Sequence, residues 1–224
     1  MVFDTVHCLF EQSGTFKKVF EGLGYKAIDY DINETENVDI VIDLFRQISL
    51  ADMEMTQTIF DGIKKTDLVI AFFPCTYFSD QNQLLSRGDH FGQKKWSMEK
   101  KLKYSIGNME NRMLFYKYLS TLCLIAIKKG FRLIIENPYG NVNFLKQFFP
   151  VKPALVIKDR GKMGDVYRKP TQFFFINCNP EFKLYGGCFA AVDSRKKIKE
   201  TYGFNRSVIS PAFAKNFIET FIIG

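Results

Sequence analysis

Apolar and polar positions follow two rhythms along this chain: short unbroken apolar runs, and longer stretches with an apolar residue every third or fourth position. The first rhythm belongs to strands buried on both faces, the second to helices packed along one side. Thr5 to Phe10 predicts a first strand. After a turn at Ser13-Gly14, the spacing of Phe16, Val19, Phe20 and Leu23 predicts a helix that Gly24 stops. Strands are expected at Lys26 to Tyr30, ending at Asp31, and at Val38 to Ile42, ending near Asp43, with a helix over Ala51 to Ile63. The run Asp67 to Phe73 is rich in Val, Ile and Phe and halts at Pro74, which has no N–H to give a ladder. It predicts a buried parallel strand with Cys75 at its carboxyl end.

Ser79 to Trp96 is polar and aperiodic, and predicts a mobile loop placed as a lid. A long helix is expected from Ser97 to Lys129, with Leu114, Tyr118, Leu122 and Ile125 at helical intervals. A fifth strand, Phe131 to Ile135, runs into Glu136-Asn137-Pro138, and further strands are expected at Ala154 to Ile157 and Gln172 to Ile176, before a last helix over Pro211 to Phe221. This alternation predicts an α/β fold with a mostly parallel sheet flanked by helices.

Length changes the picture little: 224 residues suit one domain, and no repeat or linker divides them. No apolar run has the length of a bilayer span, and Met1-Val2-Phe3-Asp4 does not open like a signal peptide, so a cytoplasmic protein is expected. The five cysteines form no CxxC pair, which predicts reduced thiols without a metal site or disulfide framework. Charge matters more. The 31 basic residues exceed the 24 acidic ones, for a net charge of +7, and they gather at Lys94-Lys95, Lys100 to Lys103, Lys128-Lys129, Lys158 to Lys169 and Arg195 to Lys199. Each group alone reads as a solvated face; together they favour a polyanionic partner such as nucleic acid.

Four reactive groups, Asp31, Asp43, Cys75 and Glu136, fall at the ends of four predicted strands. In a doubly wound sheet those ends lie along one edge and converge on a single crevice. Each acid also reads as a helix cap, and Cys75 as a small buried hydrophobe. An acid ending the second strand can accept hydrogen bonds from a ribose, and the turn before Gly14 gives a ligand close approach to a helix N-terminus.

Phe10 to Phe16, Gly24 to Asp31, Phe73-Pro74-Cys75-Thr76-Tyr77-Phe78-Ser79, Ile134 to Pro138 and Arg206 to Phe217 occur in the order found in cytosine-5 DNA methyltransferases, which the chain resembles over most of its length. The resemblance implies a Rossmann-like, S-adenosylmethionine-dependent catalytic domain. It implies that Cys75, in a loop begun by Pro74, attacks C6 of cytosine, while Glu136, followed by Asn137, holds N3 and the exocyclic amine. Asp31 would bind the cofactor ribose, Asp43 would face its adenine, and Phe10, Gly14, Thr15 and Pro74 would complete its pocket. Arg168 and Lys169 are candidates to lower the thiol pKa or clamp a phosphate. Ser79, Arg195, Lys196, Lys197 and Arg206 are candidate nucleic-acid contacts.

Where the family carries a glycine, this chain has Gln12, and residues 178–203 are too few for a target-recognition domain. Recognition is then short and relaxed, or a protein partner supplies it. The alternatives are C5 methylation of RNA or a free pyrimidine nucleotide, or a catalytically silent nucleic-acid-binding relative.

Overall fold

The computed structural model describes residues 1–54, 57–182 and 208–223. Strands β1 (Thr5–Leu9), β2 (Lys26–Asp31), β3 (Ile40–Val41), β4 (Leu68–Ala71), β5 (Arg132–Pro138), β6 (Leu155–Ile157) and β7 (Thr171–Ile176) form one seven-stranded sheet in the order β3-β2-β1-β4-β5-β7-β6. All pairings from β3 to β5 are parallel, and β7 runs antiparallel to both of its neighbours. The chain therefore builds outward from β1 in one direction and restarts at β4 in the other. The gap between the carboxyl ends of β1 and β4 is the place where such sheets hold ligands.

Among the described residues six helices flank the sheet: α1 (Thr15–Gly22), α2 (Leu44–Asp52), α3 (Asp80–Arg87), α4 (Met98–Lys129), α5 (Phe144–Phe148) and α6 (Pro211–Phe221). Side-chain alternation splits the core in two. Val69, Ala71, Leu133 and Ile135 face Leu44, Ile48, Leu119, Leu122 and Ala126 of α2 and α4. Leu68, Ile70 and Ile134 face Phe16 and Phe20 of α1 and Phe213 and Phe217 of α6. Central strands buried on both faces explain the unbroken apolar runs.

Two expected elements differ. Of the described residues in the helix predicted over Ala51 to Ile63, only Ala51 and Asp52 are α-helical, as the end of α2, which starts at Leu44 where Asp43 caps it by accepting from the Arg46 N–H at 3.1 Å. Among the described residues beyond it there is a 3-10 turn at Ile59–Asp61. The stretch expected to be an irregular loop after Ser79 carries α3 and a short 3-10 turn at Phe91–Gln93. In α4, predicted almost to the residue, Leu114 is exposed although it was expected on the apolar stripe. Among the described residues no helix is long and apolar enough to cross a membrane.

Candidate functional site

A cavity of about 490 Å³ opens at the carboxyl ends of the strands. Its wall is built from five of them: Phe10 to Ser13 after β1, Asp31 to Asn33 at the end of β2, Asp43 to Phe45 after β3, Phe72 to Thr76 after β4, and Glu136 in β5. Lys169, just before β7, completes the chemistry-bearing side. The volume falls in the range of small-molecule sites.

Cys75 and Glu136 share this cavity because of how β4 and β5 part. Their parallel pairing ends at Ala71 and Ile135, after which Pro74 turns one chain away while β5 continues to Pro138 beside β7. Glu136 is therefore inside a strand and not at its end, held opposite Phe173. It is 8% exposed, and its Oε1 atom is buried without a hydrogen-bond partner among the described residues. Such an atom is a costly orphan unless a ligand satisfies it. Asn137 points to the opposite face, where its side-chain amide donates to the Phe73 carbonyl at 3.1 Å and ties the turn before Cys75 to β5. It positions the turn and does not line the cavity.

Burial is the largest influence on the Cys75 thiol and pushes its pKa up; Lys169 pulls it down, and Glu136 pushes it up again. The net direction is upward, contrary to the expectation that the site lowers it. A cation beside the thiol does not outweigh loss of solvent. Among the described residues, Lys169 is the cation on the cavity wall. Arg168 lies 4.0 Å from Asp159 and is not part of the cavity wall. Cys123 and Cys178, pushed up to about 12 and about 11 by burial, do not line it either.

On the other side, Asp31 accepts from the Asn33 backbone N–H at 2.8 Å and side-chain amide at 2.9 Å, both on Oδ1. Among the described residues no hydrogen bond is made to its Oδ2. Phe10, with Phe45 at 5.2 Å and Phe73 at 5.4 Å between ring centroids, forms an aromatic wall, and Asp43 stands at the rim while capping α2. Phe10 and Gln12 take φ of 61° and 47°, the left-handed region that costs a side chain about 1–3 kcal/mol. Gln12 thus sits in the backbone conformation a glycine adopts without strain.

The turn into α1 works differently from the sequence expectation. Glu11, buried, accepts from the backbone N–H groups of Phe16 at 2.5 Å and Lys17 at 3.3 Å, so a side chain of the protein itself takes the helix terminus. Burial nevertheless raises the Glu11 pKa. Gly14 (φ 63°) and Thr15 are absent from the cavity wall. Gly14 is required because a Cβ there would come within 2.7 Å of Asn37 Cβ. Glu11, Asn33 and Phe45 were missed as wall residues; carboxylate-to-helix spacing at Glu11 matches no standard cap, and Phe45 reads as ordinary core. Ser79 also lies outside the wall, capping α3 by accepting from the Asn82 N–H at 3.3 Å. Arg195, Lys196, Lys197 and Arg206 lie outside the described residues.

No family model and no curated protein matches the chain.

Proposed function

We propose that the cavity binds S-adenosylmethionine and a pyrimidine base side by side, and that the protein methylates C5 of cytosine in DNA through a covalent bond between Cys75 and C6. The observation that carries this reading is the meeting of Cys75 and the Glu136 carboxylate oxygen, orphaned among the described residues, in one cavity whose wall also holds Asp31. The residues fit the cofactor: Asp31 Oδ2 accepts a ribose hydroxyl, and the Phe10 and Phe45 rings offer apolar surface to an adenine. When bound, the cofactor supplies the methyl group.

The protein's part is to make C5 nucleophilic. The Cys75 sulfur adds its electron pair to C6, Glu136 delivers a proton to N3, and the ring electrons shift toward C5. Once C5 carries the methyl group, loss of the C5 proton to solvent re-forms the C5–C6 double bond and expels the Cys75 thiolate, and N3 returns its proton to Glu136. Glu136 also accepts from the exocyclic amine, which distinguishes cytosine from thymine. Lys169 favours the thiolate, and Asn137, through the Phe73 carbonyl, fixes the turn that aims it. A stacked base cannot reach so recessed a thiol, so the nucleotide must leave its helix or arrive single stranded, at a cost of a few kcal/mol.

DNA containing 5-fluorocytosine tests this directly. A denaturation-resistant adduct at Cys75 is expected only with S-adenosylmethionine present, and Cys75→Ser is expected to form none while still binding DNA. Glu136→Gln is expected to slow methyl transfer by about 10²–10⁴-fold. Absence of an adduct, with labelled methyl appearing instead on RNA or a free nucleotide, would move the substrate; no transfer to any of them would sink the proposal.

A further inference from the structure

The outer face of α4 carries an apolar stripe that nothing among the described residues covers. Met98, Leu102, Ile106, Met109 and Met113 follow one another at intervals of four, four, three and four residues, and each is between 44% and 69% exposed. At 100° per residue they fall within an arc of roughly 80° and extend over about 23 Å. Buried Asn108, Leu119 and Leu122 point roughly 100–160° from the centre of this arc, while buried Arg112 borders it, its Nη1 3.9 Å from Met109 Sδ. The interval pattern from Leu102 to Met113 is that of a coiled-coil seam, and a contiguous apolar stripe of this length is unusual on a solvent-exposed surface.

We propose that this stripe is the seam of a homodimer in which α4 packs antiparallel against α4 of a second copy. Charge beside the stripe selects that occupant. A two-fold axis passing between residues 107 and 108 sets Leu102 against Met113 of the second copy and Ile106 against Met109. The same axis brings Glu110 opposite Lys103 of the second copy and Glu99 opposite Lys117. Each acidic position on this flank meets a basic one, so the surface is complementary to itself. Glu99, Lys103 and Lys117 are between 70% and 75% exposed, and Lys103 already holds Glu99 at 2.6 Å across one helical turn. Lys117 lies 3.9 Å from Asp52, so all three heads are solvent-exposed but would exchange a partner within the chain for one across the seam. In a parallel pair the same flank residues do not face one another, which leaves the charges without partners.

The candidate catalytic cavity has no residue on this stripe, so the dimer stands or falls independently of the chemistry proposed above. Sedimentation equilibrium of the full chain at micromolar concentration tests it. The wild type is expected to be a dimer, and Ile106→Glu is expected to weaken it at least about thirtyfold while circular dichroism stays unchanged. Should that variant misfold, Glu110→Lys on the exposed flank keeps the test open. Alone it is expected to weaken the dimer by setting a second cation against Lys103, and adding Lys103→Glu is expected to restore it. A wild-type monomer, whether or not another protein associates with it, overturns the inference. So does a dimer indifferent to these substitutions, or one that the charge exchange fails to restore.

Discussion

Asp29, in β2 behind the cavity wall, is fully buried with neither carboxylate oxygen hydrogen-bonded among the described residues, and Glu11 and Asp31 add their charges nearby. Burial above all, then those neighbours, raises its pKa from 3.8 to about 8. The folded chain therefore keeps a proton that the unfolded chain releases, so the Asp29 contribution to stability falls as pH climbs from about 4 to about 8 and is level outside that window. Asp29→Asn removes the ionisable group while keeping the shape, and is expected to stabilise the protein by about 2–4 kcal/mol at pH 8. Below pH 4 the difference should vanish; urea unfolding at both pH values checks it, and an equal gain at both would refute the titration account. At Cys75 the upward pKa predicts alkylation by iodoacetamide that accelerates with pH through the alkaline range. Lys169→Met removes the cation that draws that thiol's pKa down and is expected to slow the reaction at neutral pH, measured by peptide mass spectrometry. A faster or unchanged reaction would take Lys169 out of the site.

Between α3 and α4 the contact is polar at its centre. Arg112, buried, donates from Nε to the Tyr77 carbonyl at 2.9 Å and from Nη2 to Asn82 Oδ1 at 2.5 Å and Ser86 Oγ at 2.7 Å, while the Asn82 and Asn108 amides exchange hydrogen bonds at 3.1 and 3.2 Å. Tyr77 is two residues beyond Cys75, so this network also anchors the far end of the thiol turn. Arg112→Leu takes the donor from the Tyr77 carbonyl and strips Asn82 and Ser86 of their charged partner, leaving them only Asn108 as donor, and is expected to cost about 2–4 kcal/mol of stability, read from urea denaturation. A loss below about 1 kcal/mol would show that water replaces the guanidinium readily. The same network explains why α3 was illegible: it packs on α4 through hydrogen bonds of Asn82 and Ser86, and a search for apolar periodicity cannot register that. Strands β1, β2, β4 and β5 were legible because burial on both faces leaves continuous apolar runs, and α4 because Ser97 caps one end while Gly130, at φ 79°, closes the other. The antiparallel direction of β7 was not, since a buried run such as Thr171 to Ile176 has the same composition whichever way it points. Asp43 looked alike as ligand and as helix cap, and it does cap α2 from the cavity rim.

The candidate site exists only at the scale of the whole sheet. Residues from Phe10 to Ile209 meet because strand order, not proximity in sequence, brings the segments that follow β1 to β4 beside Glu136 within β5. Strand ends could be read one by one, so the convergence of Asp31, Asp43, Cys75 and Glu136 was legible once a doubly wound sheet was expected. The net charge of +7 acts at the same scale, over the field that any polyanion meets on approach. If DNA is the substrate, its affinity should fall linearly with salt on logarithmic axes, by about 0.9 in slope for every duplex phosphate neutralised. Arg195, Lys196 and Lys197 form the densest cationic run in the chain, and replacing all three with Gln lowers the net charge from +7 to +4. The variant is expected to bind DNA more weakly at low salt, with a slope shallower by about 2–3, and to lose that disadvantage as salt rises. Fluorescence anisotropy across a salt series reads both quantities at once. A uniform loss of affinity with an unaltered slope would mean that the three side chains support the fold of their segment and meet no phosphate.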